Sequence, residues 1–220
     1  MVADRLILHL GDSKTGSTSI QRTLRASRAA LSDAGVLFPD PGRHDNHQLV
    51  FPHLHGVLPD DPVQLESLGG DGALGRAAAL WDALRLRVED ESPRTVVLSC
   101  ENQFRAYDAD ALDRMSRLAP QVARRVEVFA YLRSPASFFL SYAQQSIKKR
   151  PDFRVLSPSR YRDVLQPLDD HGPGPVSVVR FGRDVLRDGD AVTDFCARLL
   201  PEVDRAGLVR GNGEENATVS

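Results

Sequence analysis

Lysine is nearly missing from this chain. Of 28 basic residues it accounts for Lys14, Lys148 and Lys149, and arginine supplies the others. Cysteine is as sparse, with Cys100 and Cys196 alone. Two cysteines build neither a disulfide framework nor a zinc cluster, and they fit a reducing compartment. Long apolar runs are missing near the start as well: Leu6 to Leu10 is interrupted by His9. That run is too short for a membrane span or the apolar centre of a secretion signal. The expectation is a cytoplasmic protein with no membrane contact. A surplus of positive charge is also lacking, since the formal charge is −2. This excludes a generally basic nucleic-acid binder. No internal repeat or low-complexity run interrupts the chain. What remains is 220 residues, 41% apolar and 26% charged, enough for one globular domain over 1–220 with a substantial core.

One stretch organises the rest. Leu6-Ile7-Leu8-His9-Leu10 reads as a buried strand and Gly11-Asp12-Ser13-Lys14-Thr15-Gly16 as a loop, and Ser17-Thr18-Ser19-Ile20 opens a helix. A helix start carries backbone N–H groups without helical partners and the positive end of the dipole, so it seats anions. Gly16 permits close backbone approach, Lys14 adds a compact charge, and Ser17, Thr18 and Ser19 are expected to cap the helix. The spacing invites comparison with the Walker loop Gly-x-x-x-x-Gly-Lys-[Ser/Thr]. Gly11 and Gly16 have the right separation, but Ser17 stands where the lysine belongs. The departure argues against an ordinary ATPase or kinase.

The remaining chain alternates helical and strand-like patterns. A helix is expected over Ser17–Ala34, closed by Gly35, and a strand over Val36–Phe38. Residues 39–75 are expected to form polar substrate or lid loops; four of the six histidines, His44, His47, His53 and His55, crowd this part. The ligand spacing of a metal site is missing there, and none is expected. Ala73–Glu91 reads as a helix with Trp81 inward, and Thr95–Ser99 as a buried strand running into Cys100-Glu101. Val126–Leu132 is the next strand, followed at once by Arg133-Ser134-Pro135 and a helix start. A strand over Val176–Phe181, a helix over Ala191–Leu200 and a flexible tail over 207–220 complete the pattern. The fold class is α/β: three layers, with a mostly parallel central sheet between helices. In open sheets of this kind, ligands sit beyond the carboxyl ends of the strands. Glu101 and Arg133 both fall there.

Lys14-Thr15-Gly16-Ser17-Thr18-Ser19 resembles the loop with which sulfotransferases hold the donor 3′-phosphoadenosine 5′-phosphosulfate (PAPS). Arg133 and Ser141, eight residues apart at a strand end, resemble that family's grip on the donor's 3′-phosphate. The family's usual proline before the lysine is replaced by Ser13. The resemblance implies a P-loop-like sulfotransferase fold and PAPS as the sulfuryl donor, with adenosine 3′,5′-bisphosphate released and no metal required. It implies donor binding by Ser13 through Ser19 with Arg133 and Ser141, and charge stabilisation by Lys14. The base that takes the acceptor's proton is His or Glu in different branches; Glu101 and His47 stand in comparable places, Glu101 being preferred. The acceptor is expected to be a small molecule or carbohydrate. No pattern reports an oligomeric state. Two other classes stay open: a P-loop-like nucleotide kinase or hydrolase, and a non-catalytic nucleotide-binding module.

Overall fold

A computed structural model of the chain describes residues 1–12, 14–59, 62–101, 103–140, 143 and 157–211. Five strands form one sheet, all pairs parallel, in the order β2-β3-β1-β4-β5. They are β1 (Ala3–Gly11), β2 (Val36–Leu37), β3 (Thr95–Glu101), β4 (Ala123–Leu132) and β5 (Val176–Arg180). Parallel strands require crossovers, and helices supply them. Nine helices lie among the described residues: α1 (Ser17–Ala26), α2 (Arg28–Asp33), α3 (Phe51–His55), α4 (Pro62–Leu68), α5 (Ala73–Glu91), α6 (Ala109–Leu118), α7 (135–140), α8 (Arg160–His171) and α9 (Ala191–Leu199).

Successive side chains of a strand face opposite ways, so each central strand feeds both layers. Leu6, Leu8 and Leu10 of β1, Val96, Leu98 and Cys100 of β3, and Val128 and Ala130 of β4 pack with α3, α5, α6 and α8. Ile7, Val97, Phe129 and Tyr131 pack on the other face with α1, α2 and α9. Strands covered on both faces read as continuous apolar runs, as these do. Trp81 is buried in the first layer, as its helical spacing predicts, and its indole N–H donates to Gln121. The two thiols divide between the layers: Cys100 belongs to one core and Cys196 to the other. Burial pushes the Cys196 thiol up to about 11 and raises that of Cys100 further.

Three sequence expectations need correction. The helix expected over Ser17–Ala34 breaks at Ser27, whose hydroxyl accepts the N–H of Val209 at 2.9 Å. The same bond lays residues 208–211 along α1, where the Gly211 N–H reaches Thr23 Oγ1, so the run expected as a flexible tail begins docked. Residues 212–220 lie outside the described residues. The stretch expected as polar loops holds two short helices, and α3 is driven into the core by Phe51 and Leu54, both fully buried.

Phe51→Ala should therefore cost about 3–5 kcal/mol, as truncation of a buried aromatic does. Denaturant unfolding measures it; a change below about 1 kcal/mol would mean α3 is not part of the core.

Candidate functional site

The register of the three central strands brings the chemistry together. Gly11 of β1 is paired with Glu101 of β3, while β4 runs along the other side of β1 and ends at Leu132, one residue before Arg133. The loop after β1 therefore lies between Glu101 and Arg133, at the carboxyl edge of the sheet. Contact is direct on one side: Arg133 Nε donates to the Lys14 carbonyl at 2.8 Å. The Arg133 guanidinium also lies 5.5 Å from the Phe181 ring centroid.

The loop itself is tightly held. Lys14 has φ 60°, a left-handed conformation that costs a non-glycine residue of order 1 kcal/mol and collects at functional sites. Its side chain is exposed. Thr15 is buried, and its hydroxyl donates to the Asp12 carbonyl at 2.8 Å. Gly16 is the N-cap of α1 at φ 73°, and no side chain caps the helix. The expected capping by Ser17, Thr18 and Ser19 is thus replaced by a glycine cap, and among the described residues no side chain accepts from the first-turn N–H groups. Thr18 and Ser19 are exposed; Ser17 is buried, with Oγ 3.3 Å from Thr15 Oγ1. A Cβ on Gly16 would come 2.8 Å from Ala191 Cβ and 3.2 Å from Phe181. A Cβ on Gly11 would lie 2.8 Å from Ser17 Oγ. Both glycines are there because neighbours occupy the space. Ser13 and Ser141 lie outside the described residues.

Of the two candidate bases, Glu101 sits half-buried at the end of β3, with no hydrogen bond or ion pair for its carboxylate among the described residues. His47 is differently placed. Its Nδ1 accepts the Ser99 N–H at 3.0 Å and its Nε2 lies 3.0 Å from the Pro39 carbonyl. A carbonyl cannot donate, so Nε2 carries the proton and Nδ1 the lone pair. Both nitrogens are thereby engaged, and burial lowers the imidazole to about 4. His47 clamps residues 39–47 onto β3; it holds no lone pair for an acceptor. The remaining histidines of that segment disperse to separate partners. His44 meets Arg43 and Gln48, His53 meets Arg114, and His55 accepts the Val57 N–H.

Two features were missed in the sequence. Ser99 is a buried hub: its hydroxyl meets His9 Nδ1 at 2.8 Å and Gln21 Nε2 at 3.0 Å. Its backbone N–H and carbonyl bond His47. Asp12, buried at the mouth of the loop, forms a two-pronged pair with Arg160 at 2.6 and 3.0 Å. A carboxylate directly after a buried strand was the available signal; its partner, 148 residues on, had none.

Two comparisons bear on the fold. The chain is similar to the sulfotransferase domain from the curacin biosynthetic pathway, with TM-score 0.52 and 14% identity over 97% of this chain and 80% of that one. It is similar to the sulfotransferase domain of the Synechococcus PCC 7002 olefin synthase, with TM-score 0.51 and 17% identity over 100% of this chain and 81% of that one. No protein-family model and no curated protein matches the sequence. The class established is therefore a fold: a sulfotransferase-like α/β sheet. Among the described residues, no helix is long and apolar enough to cross a membrane.

Gly16→Ala meets both strain and collision, so it should destabilise the chain by at least about 2 kcal/mol in denaturant unfolding. A neutral result would show that the loop adapts. Acid should also weaken the fold early. Burial holds His9 and His47 at about 4 and His55 at about 3, below the 6.5 of an unfolded histidine. Below pH 6.5 the unfolded chain binds more protons, so stability present at pH 7 is lost as pH falls towards 4, at about 1.4 kcal/mol per pH unit for each histidine. Unfolding at pH 7, 6 and 5 measures the slope, which His47→Gln should flatten. An unchanged slope in that variant would refute the role given to His47.

Proposed function

We propose that this chain is a sulfotransferase that moves a sulfuryl group from PAPS to a hydroxyl or amine of a small-molecule or carbohydrate acceptor, releasing adenosine 3′,5′-bisphosphate. The observation that carries the reading is the bond between Arg133 and the Lys14 carbonyl, because it puts two cationic side chains at one strand edge. A nucleotide with phosphates on both its 5′ and 3′ carbons needs two such grips. The likeness to two sulfotransferase domains in fold supports the same assignment.

In this mechanism the acceptor oxygen or nitrogen attacks sulfur in line. The bond between sulfur and the bridging phosphate oxygen breaks, and the electron pair leaves on that oxygen. Lys14 stabilises the charge developing there, while the loop amides through Ser17, Thr18 and Ser19 hold the 5′-phosphate. Arg133, with Ser141, grips the 3′-phosphate; a guanidinium forks onto phosphate with two hydrogen bonds. Glu101 takes the proton from the acceptor. The leaving group departs as an anion, so positioning and charge carry most of the barrier reduction, and the residues proposed need no metal. A nucleotide kinase or hydrolase would instead want a lysine after Gly16, where Ser17 stands.

Calorimetry with adenosine 3′,5′-bisphosphate and with ADP tests the donor. The bisphosphate should bind at least about tenfold more tightly, a margin one guanidinium–phosphate contact can supply. Equal affinity would remove the assignment. Glu101→Gln should lower kcat about 10²–10⁴-fold, the usual worth of general base catalysis, while leaving bisphosphate affinity unchanged.

A further inference from the structure

The peptide joining Arg133 to Ser134 lies between a strand and a helix and is served by neither. β4 ends at Leu132, whose carbonyl takes the Phe181 N–H at 2.7 Å. Ser134 caps α7, with the Ser137 N–H on its hydroxyl at 3.3 Å and the Phe138 N–H on its carbonyl at 2.9 Å. The Arg133 carbonyl between them is passed over by the sheet and by the helix. Pro135 has no N–H to offer it. Main-chain carbonyls left over at such a junction look to side chains or water for a donor. Tyr161, in the first turn of α8, supplies one: its hydroxyl donates to the Arg133 carbonyl at 2.8 Å.

The donor is itself held. The Tyr161 ring meets Phe104 and Phe138 edge-on, with centroids 5.9 and 6.4 Å away, and the Arg160 guanidinium lies 5.4 Å from its centroid. Edge-to-face packing of this kind fixes the orientation of a ring. Burial raises the pKa of the hydroxyl, so it keeps its proton and donates. Arg133 has a second fixed point in its Nε, which is committed to the Lys14 carbonyl at 2.8 Å. Its two terminal nitrogens make no bond among the described residues. The residue is thus pinned at its backbone by Tyr161 and at Nε by the loop, and the forked end of the guanidinium is left over. Such a fork binds phosphate with two bonds only when it is aimed correctly, so the pin at the backbone matters.

We propose that Tyr161 is a positioning residue for Arg133: it fixes the peptide from which that side chain springs and so aims the guanidinium at a 3′-phosphate. The proposal rests on the reading of Arg133 as the 3′-phosphate grip. It makes a phenol on α8 a determinant of selectivity between nucleotides that carry this phosphate and nucleotides that lack it. It also requires Tyr161 to act through Arg133 alone.

The test titrates the unaltered chain, Y161F, R133M and R133M/Y161F with adenosine 3′,5′-bisphosphate and with AMP, which lacks only the 3′-phosphate. Y161F should weaken the bisphosphate about 3- to 10-fold, the worth of one hydrogen bond, and AMP by less than about twofold. R133M should weaken the bisphosphate at least about tenfold, and Y161F should add less than about twofold in that background, because residues acting as a unit are not additive. Equal losses for both nucleotides in Y161F would overturn the proposal, since the hydroxyl would then support the whole site and not one grip. A full extra loss in R133M/Y161F would overturn it too. Thermal melting without ligand should show Y161F unfolding cooperatively; loss of that transition would count against the proposal, because the hydroxyl would then hold the fold. An unaltered chain that binds both nucleotides equally would remove Arg133 as the 3′-phosphate grip, and the role of Tyr161 with it. Full selectivity retained by Y161F in a chain that does discriminate would remove the role of Tyr161 only.

Discussion

Ser99 is where this structure is tied together. Its hydroxyl joins β1 through His9 and α1 through Gln21, and its backbone joins the segment after β2 through His47. All of these groups are buried. Buried polar groups left without partners are expensive, so the bonds that Ser99 makes favour a single arrangement, although Nε2 of His9 is buried without a partner among the described residues. Glu101 is two residues further along the same strand and Gly11 two residues beyond His9, so the hub holds the ends of β3 and β1 at fixed spacing. Precision at the strand edge is thus set one layer beneath it, by neutral side chains in the core.

Around the loop three aspartates are held by arginines, whereas Glu101 has no such partner among the described residues. Asp12 is held by Arg160, Asp45 by Arg22 and Arg25, and Asp190 by Arg210 and the Thr193 hydroxyl. The carboxyls of Asp45 and Asp190 are held below the ordinary range in spite of partial burial, with hydrogen bonds from Arg22 and from Thr193 opposing that burial. The arginine-rich composition makes sense in this light, since a guanidinium can bind a carboxylate with two bonds and still lie flat on a ring. One of the three lysines, Lys14, stands in the loop itself, as a slim point charge.

Much of this was legible in the sequence. The runs Leu6–Leu10, Thr95–Ser99 and Val126–Leu132 are apolar because both of their faces are covered, and such runs announce central parallel strands. The loop with Gly11, Lys14 and Gly16 was visible because glycine and lysine at fixed offsets carry a mechanism. Other features were hidden for physical reasons. Phe51-Pro52-His53-Leu54-His55 is too short for a helical period to emerge, and its histidines disguise two core residues. Gly16 took the capping role expected of hydroxyl side chains because α9 and Phe181 come so close. His47 looked like a reactive group because an imidazole in a polar stretch has no marker of burial. The partnership of Asp12 with Arg160 exists only once four strands have been laid side by side.

The division of the two cysteines has an experimental consequence. Each thiol is buried in a different layer, Cys100 on the side of the sheet with α3, α5 and α6, and Cys196, on α9, on the side with α1 and α2. A thiol of raised pKa behind packed side chains reacts with an alkylating reagent only when its own layer parts. Mass spectrometry of the two alkylated cysteine peptides would therefore time the opening of each face separately, with no residue introduced into the chain.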